Sequence, residues 1–359
     1  MVNFYARNFQ FLLKPFRRRT KWRRLMFNAK ISGTGYYLPK DIVTNADIVQ
    51  RMNMNEDFIV KRTGIVTRHH AKPEQGLYAL ILPAAKQAVS DAGLSMDAID
   101  MLIINTLSPD HHDPSEACFV QKKLGLNNVP AFDIRAQCSG FIYALDMASQ
   151  FIATGRCRHI LIVCAELLSK RMDYTHDGRN LSILLGDGAG AVVLSAENFT
   201  ANRTVKLVDI MTGADGDYFN LLYTASPGTH GERFISAENI EQGETEFRLQ
   251  GKQMFQHATE TLVAITKEIC RRHDLVISDF DTIIAHQPNL RILDVVRDEL
   301  NIPLEKMPIN ADRFGNMASA SLPVTFAQAW EEDRFQNGGR HLILGYGSGV
   351  TWGAAIVMS

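Results

Sequence analysis

The chain has 359 residues, of which 46% are hydrophobic and 21% charged, with a formal net charge of −1. That is enough apolar chain for two domains or one large duplicated one, and the near-neutral charge argues against a nucleic-acid binder. The five cysteines, Cys118, Cys138, Cys157, Cys164 and Cys270, are odd in number, widely spaced and without a C-x-x-C pair. They point to free thiols in a reducing cytoplasm rather than a disulfide framework or a zinc site.

Residues 1–30 carry nine basic side chains and no acid, interleaved with Phe4, Tyr5, Phe9, Phe11, Phe16 and Trp22. Such a head suits an anionic lipid surface. It is not a secretory signal, because Phe11–Leu13 is too short an apolar core. The fold starts near Ala29 with Met26 just before it, so residues 1–28 are expected to lie outside the fold, as an arm or as a translation start placed too far upstream. No later segment reaches about 18 uninterrupted apolar residues, so no membrane span is expected.

From Ala29 onward, apolar runs alternate with helical patterns. Ile103–Asn105, Ile160–Val163, Ala191–Leu194, Ile283–Ala285, Leu342–Leu344 and Ala354–Val357 predict buried strands. Leu80–Ala92, Phe141–Ala153 and Met254–Arg272 predict helices. The alternation indicates an α/β fold with a largely parallel sheet. Arg171–Leu181 and Ala214–Gln242 are polar and read as surface loops or lids. Glycine turns at 186–190 and 345–349 each feed a buried strand, and Phe132–Ile134 and Ile283–Ala285 each end on a reactive residue, Cys138 and His286. We expect two pseudo-equivalent halves, residues 29–200 with the cysteine and 201–359 with the histidine, and chemistry at the carboxyl ends of strands.

Cys138 falls between a strand and an amphipathic helix. The N–H groups and dipole at such a position lower a thiol pKa; a buried structural cysteine is the other reading. His286 stands at a strand end and Asn316 in a glycine turn before a small-residue helix. Each alone fits a core histidine or a helix cap. Together the three form a Cys/His/Asn constellation.

With these residues in view, the chain resembles the beta-ketoacyl-[acyl-carrier-protein] synthase III family. The resemblance lies in Lys61–Ile65, Ala131–Phe141, Gly186–Leu194, His286–Ile292, Gly315–Pro323 and Gly345–Val357, and covers residue 29 to the end. It implies a thiolase-like duplicated fold of five layers, αβαβα, and a cytoplasmic homodimer. It implies an acyltransferase that moves an acyl group from acyl-CoA to Cys138 and condenses it with malonyl-ACP, or malonyl-CoA, with loss of CO2. His286 and Asn316 would donate to the enolate, and the backbone N–H groups of Cys138 and Ser348 would form the oxyanion hole. Coenzyme A thioesters are substrates; no cofactor and no metal is implied. The G-x-G-x-x-G loop is not completed at Gly33–Gly35 or Gly186–Gly190, and the His69-His70 and His111-His112 pairs are adjacent, which does not suit a metal site.

Three departures from the family qualify this. Phe58 stands where a tryptophan often stacks on the coenzyme A adenine, near Arg62, with Arg171 as a second phosphate contact. Asp113 replaces a phenylalanine that limits the partner's acyl tunnel. It implies a longer primer, a base for a non-decarboxylative Claisen condensation of the OleA or dialkylresorcinol type, or a helix start in which Asp113 is the N-cap, Pro114 follows and Glu116 completes the box. Arg291 matches a carrier-protein contact, but Asp298 and Glu299 would repel an acidic carrier. A papain-like cysteine protease shares the Cys, His, Asn order but lacks its signature around the cysteine. A scaffold subunit would be expected to have lost catalytic residues, and this chain keeps all three.

Overall fold

The computed structural model describes residues 29–52 and 54–359; the basic segment 1–28 lies outside the described residues. Nine strands form one sheet: β1 (Ala29–Tyr37), β2 (Met101–Asn105), β3 (Ala131–Ile134), β4 (His159–Glu166), β5 (Gly188–Ala196), β6 (Val205–Ala214), β7 (Thr282–Ala285), β8 (Arg340–Gly347) and β9 (Thr351–Met358). The helices that matter for the site are α1 (Glu56–Thr63), α2 (Tyr78–Asp91), α3 (Glu116–Leu124), α4 (Gly140–Ala153), α5 (Gly251–Arg272), α6 (Leu290–Leu300) and α7 (Ser321–Glu331). The sheet order is β7-β8-β9-β6-β1-β5-β4-β2-β3. Among the described residues, no helix is long and apolar enough to cross a membrane.

The order is a repeat. In the first half β2 runs parallel to β4, β4 antiparallel to β5, and β5 antiparallel to β1. In the second half β7 runs parallel to β8, β8 antiparallel to β9, and β9 antiparallel to β6. A short β1–β6 pairing joins them. Five of the sheet's eight strand pairings are antiparallel, which corrects the largely parallel sheet expected from the sequence. Side chains alternate along each strand, and β2, β4 and β7 are buried on both faces. Ile103, Ile162 and Val192 of one half meet Ile284, Ile343 and Ala355 of the other around α4 and α7. Their neighbours Leu102, Leu161 and Val193 face α2 and α3, while Ile283, Leu342 and Ile356 face α5 and α6. The result is the expected stack of five layers, with α4 and α7 in the middle.

The register corrects one expectation. Ile103 pairs with Ile162 as Ile284 pairs with Ile343, and all four face the central layer. Counting on by two from Ile103 and Ile284, Asn105 is the counterpart of His286; counting on by four from Ile162 and Ile343, Glu166 is the counterpart of Gly347. The sequence repeat had set Cys138 against His286; in the fold the counterpart of Cys138 is Ser319, in the turn before α7. Strand β6 is a further departure. Its start was not anticipated, because Lys206 and Asp209 interrupt its apolar pattern.

Candidate active site

Cys138 lies in a 3-10 turn, Gln137–Ser139, that follows β3 and runs into α4. Gln137 has φ +50, a left-handed value that costs a non-glycine residue of order 1 kcal/mol or more and persists only where its surroundings fix it. The side chain of Asn105 does so: its Nδ2 donates to Gln137 O at 3.2 Å and its Oδ1 accepts from Ala136 N–H at 3.1 Å. Gly140 makes room for it, since a Cβ there would lie 2.1 Å from Asn105 Cγ. On the other side stands the end of β8. A Cβ on Gly347 would lie 2.8 Å from the Cys138 nitrogen, so glycine at 347 leaves that N–H approachable. Ser348 follows, and Thr351 Oγ1 donates to both Ala136 O and Ser348 O at 3.2 and 3.3 Å, tying the two proposed oxyanion donors into one frame.

His286 follows β7 directly and its backbone N–H donates to Leu344 O at 2.8 Å, which sets it beside the Gly345–Gly347 end of β8. Asn316 precedes a second 3-10 turn, Ala318–Ala320, that leads into α7. Ala318 is left-handed at φ +43, and Ala318 and Cys138 share one apolar cluster. The carboxyl end of β8 and the two turns therefore bring Cys138, His286 and Asn316 to one end of the strands. Asn316 Oδ1 accepts from Ala318 N–H at 2.8 Å, which orients the amide and leaves its NH2 to donate. Its backbone is clamped by Leu184 O and Gly186 N–H at 2.7 and 3.0 Å.

All three side chains are nearly enclosed: Cys138 is 9%, His286 3% and Asn316 9% exposed. Burial pushes the Cys138 thiol up to about 12, and the Glu166 carboxylate adds to the rise. In place of the lowering expected from the helix terminus, desolvation of the thiolate holds the thiol above its ordinary value, against a backbone hydrogen bond that lowers it. Burial alone takes His286 down to about 3, so the ring is neutral. Its Nδ1 is buried without a hydrogen-bond partner among the described residues.

The outlying candidates divide. Phe58 and Arg62 sit one turn apart on α1, with the Arg62 guanidinium 5.5 Å from the Phe58 ring centre, and Phe58 borders the apolar cluster around Cys138. Arg171 is committed internally: it donates to Leu107 O and Thr224 Oγ1 at 3.0 and 3.2 Å and stacks on Phe247 at 4.1 Å. Arg291 donates to Lys61 O and Val60 O, both at 3.1 Å, closing the end of α1. Asp113 is exposed, and the proposed helix start fails: the cap of α3 is Ser115, whose hydroxyl accepts from Cys118 N–H. Glu116 instead turns inward to accept from Asp110 N–H at 2.9 Å. Cys118 is exposed on the same helix. The sequence reading missed Asn105, Glu166 and Ser319. A lone acid closing the apolar run Ile160–Ala165 was the available signal for Glu166.

Residues 132–216 match the family described as 3-Oxoacyl-[acyl-carrier-protein (ACP)] synthase III, and residues 270–358 match its C-terminal family. The chain is 36% identical to a beta-ketoacyl-[acyl-carrier-protein] synthase III of Methylococcus capsulatus, over 92% of this chain and 98% of that one. A crystal structure of 3-oxoacyl-[acyl-carrier-protein] synthase III from Aquifex aeolicus is similar with a TM-score of 0.82 and 34% identity, covering 92% of this chain and 100% of that one. The OleA of Xanthomonas campestris shares the fold at a TM-score of 0.81 with 19% identity, covering 92% of this chain and 99% of the other.

Proposed function

From the premise that this chain belongs to the beta-ketoacyl-[acyl-carrier-protein] synthase III family of condensing acyltransferases, we propose how its own residues carry the reaction. Cys138 Sγ attacks the carbonyl carbon of an acyl-CoA. The oxyanion that forms accepts from the N–H groups of Cys138 and Ser348. The carbon–sulfur bond to coenzyme A breaks, and its thiolate takes up the proton that Cys138 gives up, leaving an acyl thioester on Sγ. Phe58 and Arg62, at the rim, receive the coenzyme A portion.

The second half-reaction takes a malonyl thioester, carried by acyl carrier protein. Its carbon–carboxylate bond breaks, CO2 leaves, and the electron pair becomes an enolate whose oxygen accepts from His286 and from the Asn316 amide. The enolate carbon attacks the acyl carbon on Cys138. The thiolate of Cys138 leaves and is reprotonated, and a 3-oxoacyl thioester departs. The observation that carries this reading is the pair of neutral donors. A histidine held near 3 is a poor proton acceptor at neutral pH, and an amide is not a base. Such a pair serves a carbanion made by decarboxylation, not one made by proton abstraction. The enzyme works as a homodimer, with the exposed Asp113 segment offered to the partner's acyl site.

Intact-protein mass spectrometry after incubation with acyl-CoAs of graded length, followed by malonyl-ACP, tests the reading. An acyl adduct on Cys138 that disappears on addition of the extender is expected. Absence of an adduct with every acyl thioester overturns it.

A further inference from the structure

The repeat sets Glu166, the last residue of β4, where Gly347 ends β8. At Gly347 the missing side chain leaves the nitrogen of Cys138 open. In the matching place Glu166 fills the space beside Ser319, the counterpart of Cys138. Glu166 is wholly buried. Its carboxyl accepts from Ser319 Oγ at 2.5 Å, Ser108 Oγ at 2.7 Å, Leu107 N–H at 3.2 Å and Thr106 Oγ1 at 3.4 Å. With its oxygens occupied in this way, it is not aimed at a substrate. Two paths lead from it to the site. Ser319 follows Ala318, whose N–H orients Asn316. Ser319 Oγ also reaches Asn105 O at 3.3 Å, and the Asn105 side chain fixes Ala136 and Gln137, directly before Cys138.

We propose that Glu166 is a positioning residue of the active site, tying the Cys138 turn and the Asn316 turn to one buried carboxyl whose charge governs the pH range over which the Cys138 thiol reacts. The inference rests on Cys138 being the reactive thiol. Burial pushes Glu166 up to about 7, against the opposing effects of its hydrogen bonds and Arg171, so its charge changes near neutral pH. The charged and titratable groups that face it are Arg171, from the segment after β4, Cys138, from the turn before α4, and Cys164, on its own strand. Its carboxylate raises both thiols. Once Glu166 ionises, each further thiolate near it must form against a like charge.

The test reads the thiol itself, so its outcome is separable from the question of which acyl group Cys138 carries. The rate of alkylation of the Cys138 peptide by iodoacetamide is followed by mass spectrometry from about pH 6 to pH 9.5, a range that spans the ionisation of the carboxyl. Glu166→Gln removes the charge and keeps the shape. It is expected to raise the rate at about pH 8 by roughly threefold or more, moving the profile toward acid. Glu166→Asp, which keeps the charge, is expected to follow the unsubstituted protein. A Glu166→Gln profile that superimposes on the unsubstituted one overturns the proposal, as does a Glu166→Asp profile displaced equally far. Should Glu166→Gln not fold, Ser108→Ala takes its place. It removes one donor to the carboxylate, keeps Glu166 protonated to higher pH and is expected to accelerate alkylation at about pH 7.5; no acceleration overturns the proposal.

Discussion

The two turns that enter the central helices answer one geometric demand with opposite chemistry. Each has a left-handed residue, Gln137 or Ala318, then a small side chain with a nucleophilic atom, Cys138 or Ser319, then a helix. Opposite Cys138 the facing strand ends in Gly347 and leaves space; opposite Ser319 it ends in Glu166 and fills it. The two halves thus present like turns, and one residue at the facing strand end sets them apart, glycine at 347 and Glu166 in the matching place.

The comparison can be broken most sharply by exchanging roles. Cys138→Ala is expected to abolish acyl-enzyme formation, whereas Ser319→Ala is expected to keep it, because only one turn presents an approachable nucleophile. Intact mass after acyl-CoA addition reads both, and a Ser319→Ala protein that forms no adduct contradicts the assignment of roles.

The donors come next. His286→Ala and Asn316→Ala are expected to retain acyl-Cys138 and to lose about 10²-fold or more in condensation, the scale of one lost transition-state donor. Single-turnover assays that separate loading from condensation check this. Since His286 is neutral down to about 3, condensation by the intact protein should show no acid limb at the ordinary histidine value of about 6.5. The same shift has a stability sign. The folded value lies below the unfolded one, so the unfolded chain binds the extra proton as pH falls below about 6.5, and folding weakens progressively toward pH 3. His286→Ala should therefore lose less melting temperature than the unsubstituted protein between about pH 7 and pH 4.5.

Gly347→Ala sharpens the comparison at the facing strand. Its Cβ would press within 2.8 Å of the Cys138 nitrogen, and acyl loading should fall by about 10²-fold with little change in the fold of β8. Equal loading by this variant in a pre-steady-state assay would remove the Cys138 N–H from the oxyanion hole. The smallest effect concerns the start of α3. Ser115→Ala should cost about 1 kcal/mol of stability, the usual loss of a cap, while Asp113→Ala should stay within about 0.5 kcal/mol. Denaturant melts of the two variants distinguish them.

Much of this was legible in the chain. Periodicity alone placed the buried strands Ile160–Val163 and Leu342–Leu344 and the helix Phe141–Ala153, because every face of these strands is apolar. Cys138, His286 and Asn316 stand at the strand and turn ends that the sequence pointed to, and their chemical roles are those proposed above. What stayed hidden depends on register. Asn105 and Glu166 end apolar strands as lone polar residues, and only the sheet pairing shows that they match His286 and Gly347. The partners of Arg171 and Arg291 were equally invisible: Arg171 closes on Leu107 O and Thr224 Oγ1, and Arg291 on Val60 O and Lys61 O, all distant in sequence. At Asp113 the sequence reading set the helix start two residues too early; the cap is Ser115.

The enclosure of Cys138 carries a consequence for anyone seeking a covalent inhibitor. A small, soft electrophile selects for exposure and ready ionisation, and Cys138 offers neither, being buried with its thiol pushed up to about 12. Cys118 lies on the outer face of the protein and would be labelled first. Under the proposed mechanism, selectivity for Cys138 therefore has to come from shape: a warhead that arrives on an acyl-like tail and places its developing negative oxygen between the proposed donors, the N–H groups of residues 138 and 348.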